Sequence, residues 1–454
     1  MIKNRVMAVD LTKGELLPVI FKFSLPVIGG NLFQLFYTLA DTIIVGQTIG
    51  ENALAAVGAT TVFVYFILCF IQGMTNGFSI ILAKCIGGME EKKAKGNIVA
   101  SLYISIIFSL IVTIVTCSFS SAVISMMKVP EEIASDAEAY LFIVLAGTGA
   151  TVLYNLISNI LRAMGDSRLP LLFLILSSLL NIILDITFIV PFRMGVGGAA
   201  LATVISQLLS AVLSIIVGMR KYDLLVLNKN DFISGFKYIG SNLHLGTVMG
   251  FQMSVMCIGQ LVMQSSVNNL GTEAIAGYTA ATKVDQLSVL VNNAFITAIA
   301  AYVAQNLGAG KIERIRNGVW TSLVITEVTD VLMILIIILV MPFIVPMFVS
   351  SPSPAVFEYC RVFFLITLPF YPVLGLLSVY RTSVQSLGNT WAPFTACIVE
   401  LAARCSASLL LGKYIGYSGI VFSSPLAWLG AIAIVIPVYA VMMNRMKRNP
   451  GLRS

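Results

Sequence analysis

Leu25-Pro-Val-Ile-Gly-Gly-Asn-Leu-Phe-Gln-Leu-Phe-Tyr-Thr-Leu-Ala-Asp-Thr-Ile-Ile-Val-Gly46 is an apolar run interrupted by Asn31, Gln34, Tyr37, Thr38 and a single acid, Asp41. About 20 mostly apolar residues cross a bilayer as a helix. This stretch belongs to the first of about twelve such runs, at 16–40, 53–80, 97–120, 134–158, 169–190, 195–218, 238–264, 274–304, 317–343, 357–380, 393–412 and 418–443. They are too long and too evenly apolar for the short alternating strands of a β-barrel. The fold class read from them is all-α integral membrane.

Composition agrees. The chain has 454 residues, of which 58% are hydrophobic and only 11% charged. A soluble domain carries about 25% charged residues, so this chain cannot clothe a water-soluble surface, and disorder fails for the same reason. The formal net charge is +7. The basic residues sit in short loops between apolar runs, which points to membrane topology and away from nucleic acid. The seven cysteines are scattered without a C-x-x-C and read as small apolar packing residues. Met1 to Glu15 is polar and mixed in charge, so no cleaved signal peptide is expected.

With the N-terminus placed in the cytoplasm, the inside segments hold 21 lysines and arginines, and the outside segments hold three, Lys128, Arg193 and Lys413. A miscounted span would scramble that alternation. The expectation is a multi-pass protein of the inner (cytoplasmic) membrane with both termini cytoplasmic.

The two halves repeat. Ile49-Gly-Glu-Asn-Ala-Leu-Ala-Ala56 resembles Leu270-Gly-Thr-Glu-Ala-Ile-Ala-Gly277, an offset of 221. The same offset carries Ala83-Lys-Cys-Ile-Gly87 onto Ala304-Gln-Asn-Leu-Gly308, and Gln72 and Asn76 onto Asn293 and Thr297. Met164-Gly-Asp-Ser-Arg-Leu-Pro170 resembles Leu387-Gly-Asn-Thr-Trp-Ala-Pro393 at offset 223. Six spans per half is an even number, so the repeats run parallel, an architecture of transporters. The division is an N-terminal six-helix lobe (1–218), a cytoplasmic linker (219–237) and a C-terminal six-helix lobe (238–454).

Charges inside spans are costly and face the protein interior. In the first span Gln34, Thr38 and Asp41 share a face by their i, i+4, i+7 spacing. Pro26 removes a backbone hydrogen bond and loosens the turn before it. Asn181 and Asp185 share a face of the fifth span. Two carboxylates, an amide and a hydroxyl suit a proton or a small cation; a structural hydrogen-bond cluster is the alternative. Asp41 maps onto Val262, and Asp185 lands near Ala407 and Ser408, so the acidic pair belongs to the first half alone. Glu327 and Asp330 lie in the ninth span. Glu400 and Arg404, one turn apart, read as a structural ion pair. Asn76, Asp285, Asn292 and Asn293 are candidate cavity residues, with polar glue between helices as the alternative.

There is no G-x-x-x-x-G-K-[ST], H-E-x-x-H or G-x-S-x-G, and the lone His244 has no ligand partner in sequence. No cofactor and no metal are expected beyond a coupling cation.

At these residues the chain resembles a known family. The Leu25–Gly46 segment, Ile49-Gly-Glu-Asn-Ala-Leu-Ala-Ala-Val-Gly58 and Ala304-Gln-Asn-Leu-Gly-Ala-Gly310 look like the multidrug and toxic compound extrusion (MATE) family, over about residues 11–445. The resemblance implies twelve helices in two parallel six-helix repeats forming a V-shaped transporter. It implies antiport of cationic, amphiphilic drugs or toxic compounds against sodium ions or protons. It also implies a first-lobe cation site at Asp41, Asn181, Asp185 and Thr203, with Tyr37 and Pro26 matching its surroundings. Some relatives use an acidic ion site on the seventh helix; here that span has no acid, and Asp285 in the eighth is the nearest candidate. The expected partners are a small-molecule substrate and the lipid bilayer, with no nucleic acid and a monomeric chain. A lipid-linked oligosaccharide flippase of the related superfamily is the alternative, and a membrane enzyme or a channel is a more distant one.

Overall fold

The computed structural model describes residues 9–127, 129–348 and 354–448. The cationic residues Lys3, Arg5, Lys128 and Arg453 of the topology argument lie outside them. The described chain is helical: α1 (Leu16–Thr48), α2 (Glu51–Gly87), α3 (Glu91–Ser118), α4 (Ser120–Met126), α5 (Glu131–Ala146), α6 (Thr148–Ala163), α7 (Arg168–Ile189) and α8 (Gly195–Lys221) make up the first half. They are followed by α9 (Lys229–Gly235), α10 (Ile239–Asn268), α11 (Thr272–Gly308), α12 (Ile312–Phe348), α13 (Pro354–Thr367), α14 (Tyr371–Ser386) and α15 (Trp391–Arg448).

Ten helices among the described residues are long and apolar enough to cross a membrane, and α5 with α6, bent by 46° around Gly147, make one more. α15 is two helices joined across Gly416, whose φ of 59° no continuous helix adopts. The Ser408 hydroxyl donates to that of Ser423, and Gly412 lies against Ile420, so the chain folds back on itself there. Counted as two, α15 is consistent with twelve spans. Large apolar side chains such as Ile107, Ile111, Ile114, Leu335 and Leu339 point outward. That is an interior-like surface for lipid, while helix formation satisfies most backbone groups within each helix.

The internal repeat is written in the backbone. Left-handed residues recur at Gly50 and Gly271, Met89 and Gly310, Gly165 and Gly388, and Gly195 and Gly416, at offsets of 221, 221, 223 and 221. The capping repeats too. Asp166 Oδ1 accepts the Leu169 N–H at 3.1 Å ahead of α7, and Asn389 Oδ1 accepts the Ala392 N–H at 3.1 Å ahead of α15.

The described residues pack as two compact units, one within 9–10 and 25–250, the other within 11–24 and 251–448. In the first, Val45, Ala53, Ile189, Val196 and Ala199 form a core where α1, α2, α7 and α8 meet. Gly73 and Gly77 of α2 meet Gly246 and Gly250 of α10 with their backbones in contact, a small-xxx-small approach on both helices. In the second, Phe363, Phe364, Tyr278 and Val421 join α11, α13 and α15. There the N-terminal strap is tied down. Asn306 Nδ2 donates to the Leu11 carbonyl at 3.2 Å, and Lys311 Nζ to the Thr12 carbonyl at 2.7 Å.

Two sequence readings need correction. The first span does not stop at residue 40: α1 continues to Thr48 and is stopped by Gly50, so Asp41 lies inside the helix and not at its outer end. Arg381, one of the 21 cations assigned to the inside segments, does not lie in a loop. It is buried in α14 and pairs with Glu400 of α15, which also lies 3.8 Å from Arg404. One carboxylate thus serves two guanidinium groups, and the helix-bound cation is tolerated because it has a buried counter-charge.

Candidate cation-binding site

The first unit gathers its intramembrane acids. α7 and α8 pack side by side, joined by the short turn before Gly195, which lays Asn181 against Thr203. Asn181 Nδ2 donates to Thr203 Oγ1 at 3.3 Å, and that hydroxyl donates to the Ala199 carbonyl at 3.1 Å. One turn along α7, Asp185 is 0% exposed, and Asn181 is 1% exposed. α1 brings Asp41 to the same place, where the Asp41 and Asp185 carboxyl groups interact side chain to side chain.

The unusual feature is what these groups lack. Both carboxylate oxygens of Asp185, Oδ1 of Asp41 and Oδ1 of Asn181 are buried without a hydrogen-bond partner in the protein. Buried polar groups are normally paired, and an unpaired buried carboxylate is expensive. The ionisable neighbours do not supply a base. Tyr37 of α1 and Tyr140 of α5 lie within electrostatic reach of both acids. The result is an acceptor-rich cluster of hard oxygens, whose chemistry suits a proton or a small cation.

Of the residues singled out in the sequence, Asp41, Asn181, Asp185, Thr203 and Tyr37 come together. Gln34 and Thr38 do not: both are exposed, and the Thr38 hydroxyl is spent on the Gln34 carbonyl at 2.9 Å. Pro26 lies four turns from Asp41 along α1, half-buried. Asn76 is half-buried on α2, and its carbonyl accepts the Ser79 hydroxyl at 2.7 Å. Tyr140 was missed: as one of 15 tyrosines, it carries no mark until α5 places it beside the acids.

The other candidates belong to the second unit. Asp285 of α11 accepts a hydrogen bond from the Tyr371 hydroxyl of α14. Asn292 Nδ2 donates to Asp330 Oδ1 of α12 at 2.8 Å. Asn293 is exposed. His244 lies on an exposed side of α10.

Comparison with known proteins gives a consistent result. The MatE family model matches residues 26–187 and 249–406. The probable multidrug resistance protein YpnP of Bacillus subtilis is 28% identical over 423 residues, covering 91% of this chain and 92% of that protein. The probable multidrug resistance protein NorM of Thermotoga maritima is 26% identical over 430 residues, covering 93% and 90%. A crystal structure of MATE in complex with MaL6 superposes with a TM-score of 0.90 at 22% identity, covering 99% of this chain and 100% of the other, a likeness of fold.

Proposed function

The chain belongs to the MatE family, and from that premise we propose that it is a multidrug efflux transporter, a secondary active antiporter and not an enzyme. It exports cationic, amphiphilic compounds by alternating access, in exchange for a monovalent coupling cation, Na+ or H+. The observation that carries the coupling is the buried, unpaired set of oxygens on Asp41, Asn181 and Asp185. Two like-charged carboxylates in a low-dielectric site repel each other, and a bound cation relieves that repulsion. Loading therefore favours the conformation in which the two acids are closest, and unloading favours another. Thr203 holds the Asn181 amide nitrogen, which leaves the Asn181 carbonyl oxygen unpaired. The YpnP and NorM relatives, which match over nine-tenths of the chain, are named probable multidrug resistance proteins, which does not favour the flippase alternative. Both termini are assigned to the cytoplasm on the distribution of basic residues.

The test is efflux of a fluorescent organic cation from proteoliposomes under separately imposed sodium and pH gradients. Asp41→Asn and Asp185→Asn should each cut gradient-driven efflux by more than about fivefold while the purified protein stays monodisperse. Wild-type rates in the double variant would sink the reading.

A further inference from the structure

The second unit carries a surplus of buried positive charge. Arg381 of α14 and Arg404 of α15 are each 8% exposed. Among the described residues, Glu400 of α15 is the one acid that forms an ion pair with either. Two guanidinium groups against one carboxylate leave one positive charge over, and an uncompensated charge away from water is expensive. The other acids of this unit stand elsewhere. Asp330 Oδ2 and Glu327 Oε1 lie against Gly375, earlier on α14, and Asp285 accepts from the Tyr371 hydroxyl.

The surplus also has free donors. Nε of Arg381 and Nε of Arg404 are both buried without a hydrogen-bond partner in the protein. Arg381 Nη1 donates to the Met256 thioether of α10 at 3.7 Å, a weak neutral acceptor on a flexible side chain. Arg404 lies along Gly259 of α10, where an added Cβ would stand 3.2 Å from its Nη1. Met256 and Gly259 share a helix face with Gln252, which accepts from Gln385 Nε2 of α14. The Gln252 backbone carbonyl accepts from the Cys397 thiol of α15 at 3.3 Å. Faces of α10, α14 and α15 therefore meet around the guanidinium groups. What they bring besides Glu400 is neutral: amides, a thioether, a thiol and the Tyr278 phenol within electrostatic reach of Arg404.

The cluster has no counterpart in the first half. At the offset of 223 that relates Gly165 to Gly388, Arg381, Glu400 and Arg404 fall on Ser158, Ser177 and Asn181, all uncharged. A structural ion pair needs one arginine for one carboxylate, and the second is left to explain. A guanidinium Nε–H and its neighbouring Nη–H form a fork that matches two oxygens of a carboxylate or phosphate, and the Nε of each fork is unused here.

We propose that Arg381 and Arg404 bind the carboxylate or phosphate group of a small amphiphilic substrate, so that the exported compounds include zwitterions. This rests on the efflux reading and adds to it a second substrate class. The ligand oxygen replaces the Met256 sulfur at Arg381, and Glu400 keeps the two guanidinium groups together.

The experiment measures dye binding by fluorescence anisotropy to the purified full-length chain in nanodiscs of neutral phosphatidylcholine at pH 7.5. One probe is a rhodamine with a free carboxylate, the other its ethyl ester, so the pair shares a cationic ring system and differs in one anionic group. Wild type should bind the acid more tightly than the ester. Arg381→Gln and Arg404→Gln each leave Glu400 in a neutral pair. Each should weaken the acid by about tenfold and change the ester by less than about twofold. Glu400→Gln should tighten the acid, the reverse of what losing a merely structural ion pair does. Size-exclusion profiles check folding, and Arg404→Lys, which keeps the charge and loses the fork, is a gentler lesion with the same expected direction. Folded arginine variants that hold the acid at wild-type affinity overturn the proposal. So does a wild-type protein that binds the ester but not the acid, an outcome that leaves the efflux reading standing. Binding of neither dye overturns the proposal and counts against the efflux reading as well. Phosphatidylglycerol added to the nanodiscs should not compete with the acid; competition that depends on Arg404 would give the site to a lipid headgroup and overturn the substrate assignment.

Discussion

Asp166 lies in the turn between α6 and α7, outside the membrane spans, and shows what a paired acid looks like in this chain. Burial pushes its carboxyl up, but hydrogen bonds from the Tyr222 hydroxyl, Lys221 Nζ and the Leu169 N–H outweigh that and hold it below the usual carboxylate range. A depressed folded value means stability that is fully present above the unfolded value of about 3.9 and is lost as pH falls through the lower folded one. Asp166→Asn should therefore cost about 2 kcal/mol at neutral pH, where the hydrogen bonds are charge-assisted. It should also flatten the loss of thermal stability between pH 5 and about pH 3 relative to wild type. Scanning fluorimetry in detergent at the two ends of that range measures both, and parallel acid losses in the two proteins would contradict the assignment. Asp185 and Asp330 are the opposite case: equally buried, yet each keeps an oxygen without a donor. Asp41, Asn181, Asp185 and Thr203 were legible in the sequence because helical spacing and the family motif mark them. Asp330 and Glu327 were visible only as acids in a span, since nothing local says that Gly375 leaves a hollow beside them.

At the scale of elements, glycines decide where helices end and how closely they approach. Gly416 (φ 59°, ψ −137°) turns α15 into a hairpin, as Gly195 begins α8 after the corresponding turn of the first half. A side chain at Gly416 is strained whatever the space around it, so Gly416→Val should destabilise the protein by about 1–3 kcal/mol. Gly58 on α2 has open space around its Cα, and Gly58→Ala should be neutral or stabilise by up to about 1 kcal/mol. The pair is best compared as thermal midpoints in one detergent; a Gly416 variant as stable as the Gly58 variant would refute the turn argument. Apolar run length alone located nearly every helix. The exact turn was less legible: the polar Asp41 looked like an end because local reading prices an exposed acid, not one that a neighbouring helix covers.

At the scale of the whole chain the two halves repeat their turns but not their acids. Left-handed residues recur at near-constant offset, but Asp41 and Asp185 have no acidic counterparts, and the acids of the second half lie on α11 and α12. The basic residues near the end of α15, Arg445, Lys447 and Arg448, are expected on the inside face by the positive-inside rule, as proposed above. A green fluorescent protein fused after the last residue should therefore fluoresce in cells, and alkaline phosphatase at the same place should be inactive. The reverse pattern would invert the topology while leaving the twelve-span count untouched.

The amino-acid sequence by itself determined the solvent, the spans, the duplication and the helix faces on which the few intramembrane acids lie. These follow from hydropathy and from the helical repeat, which act within about 20 consecutive residues. Tertiary structure decided which faces meet. It set Asp185 against Asp41, drew Arg381 out of a supposed loop to Glu400, and closed Asp330 and Glu327 over Gly375. Such convergence depends on side-chain volume and backbone approach between helices far apart in the chain, and periodicity along a single helix carries no record of it.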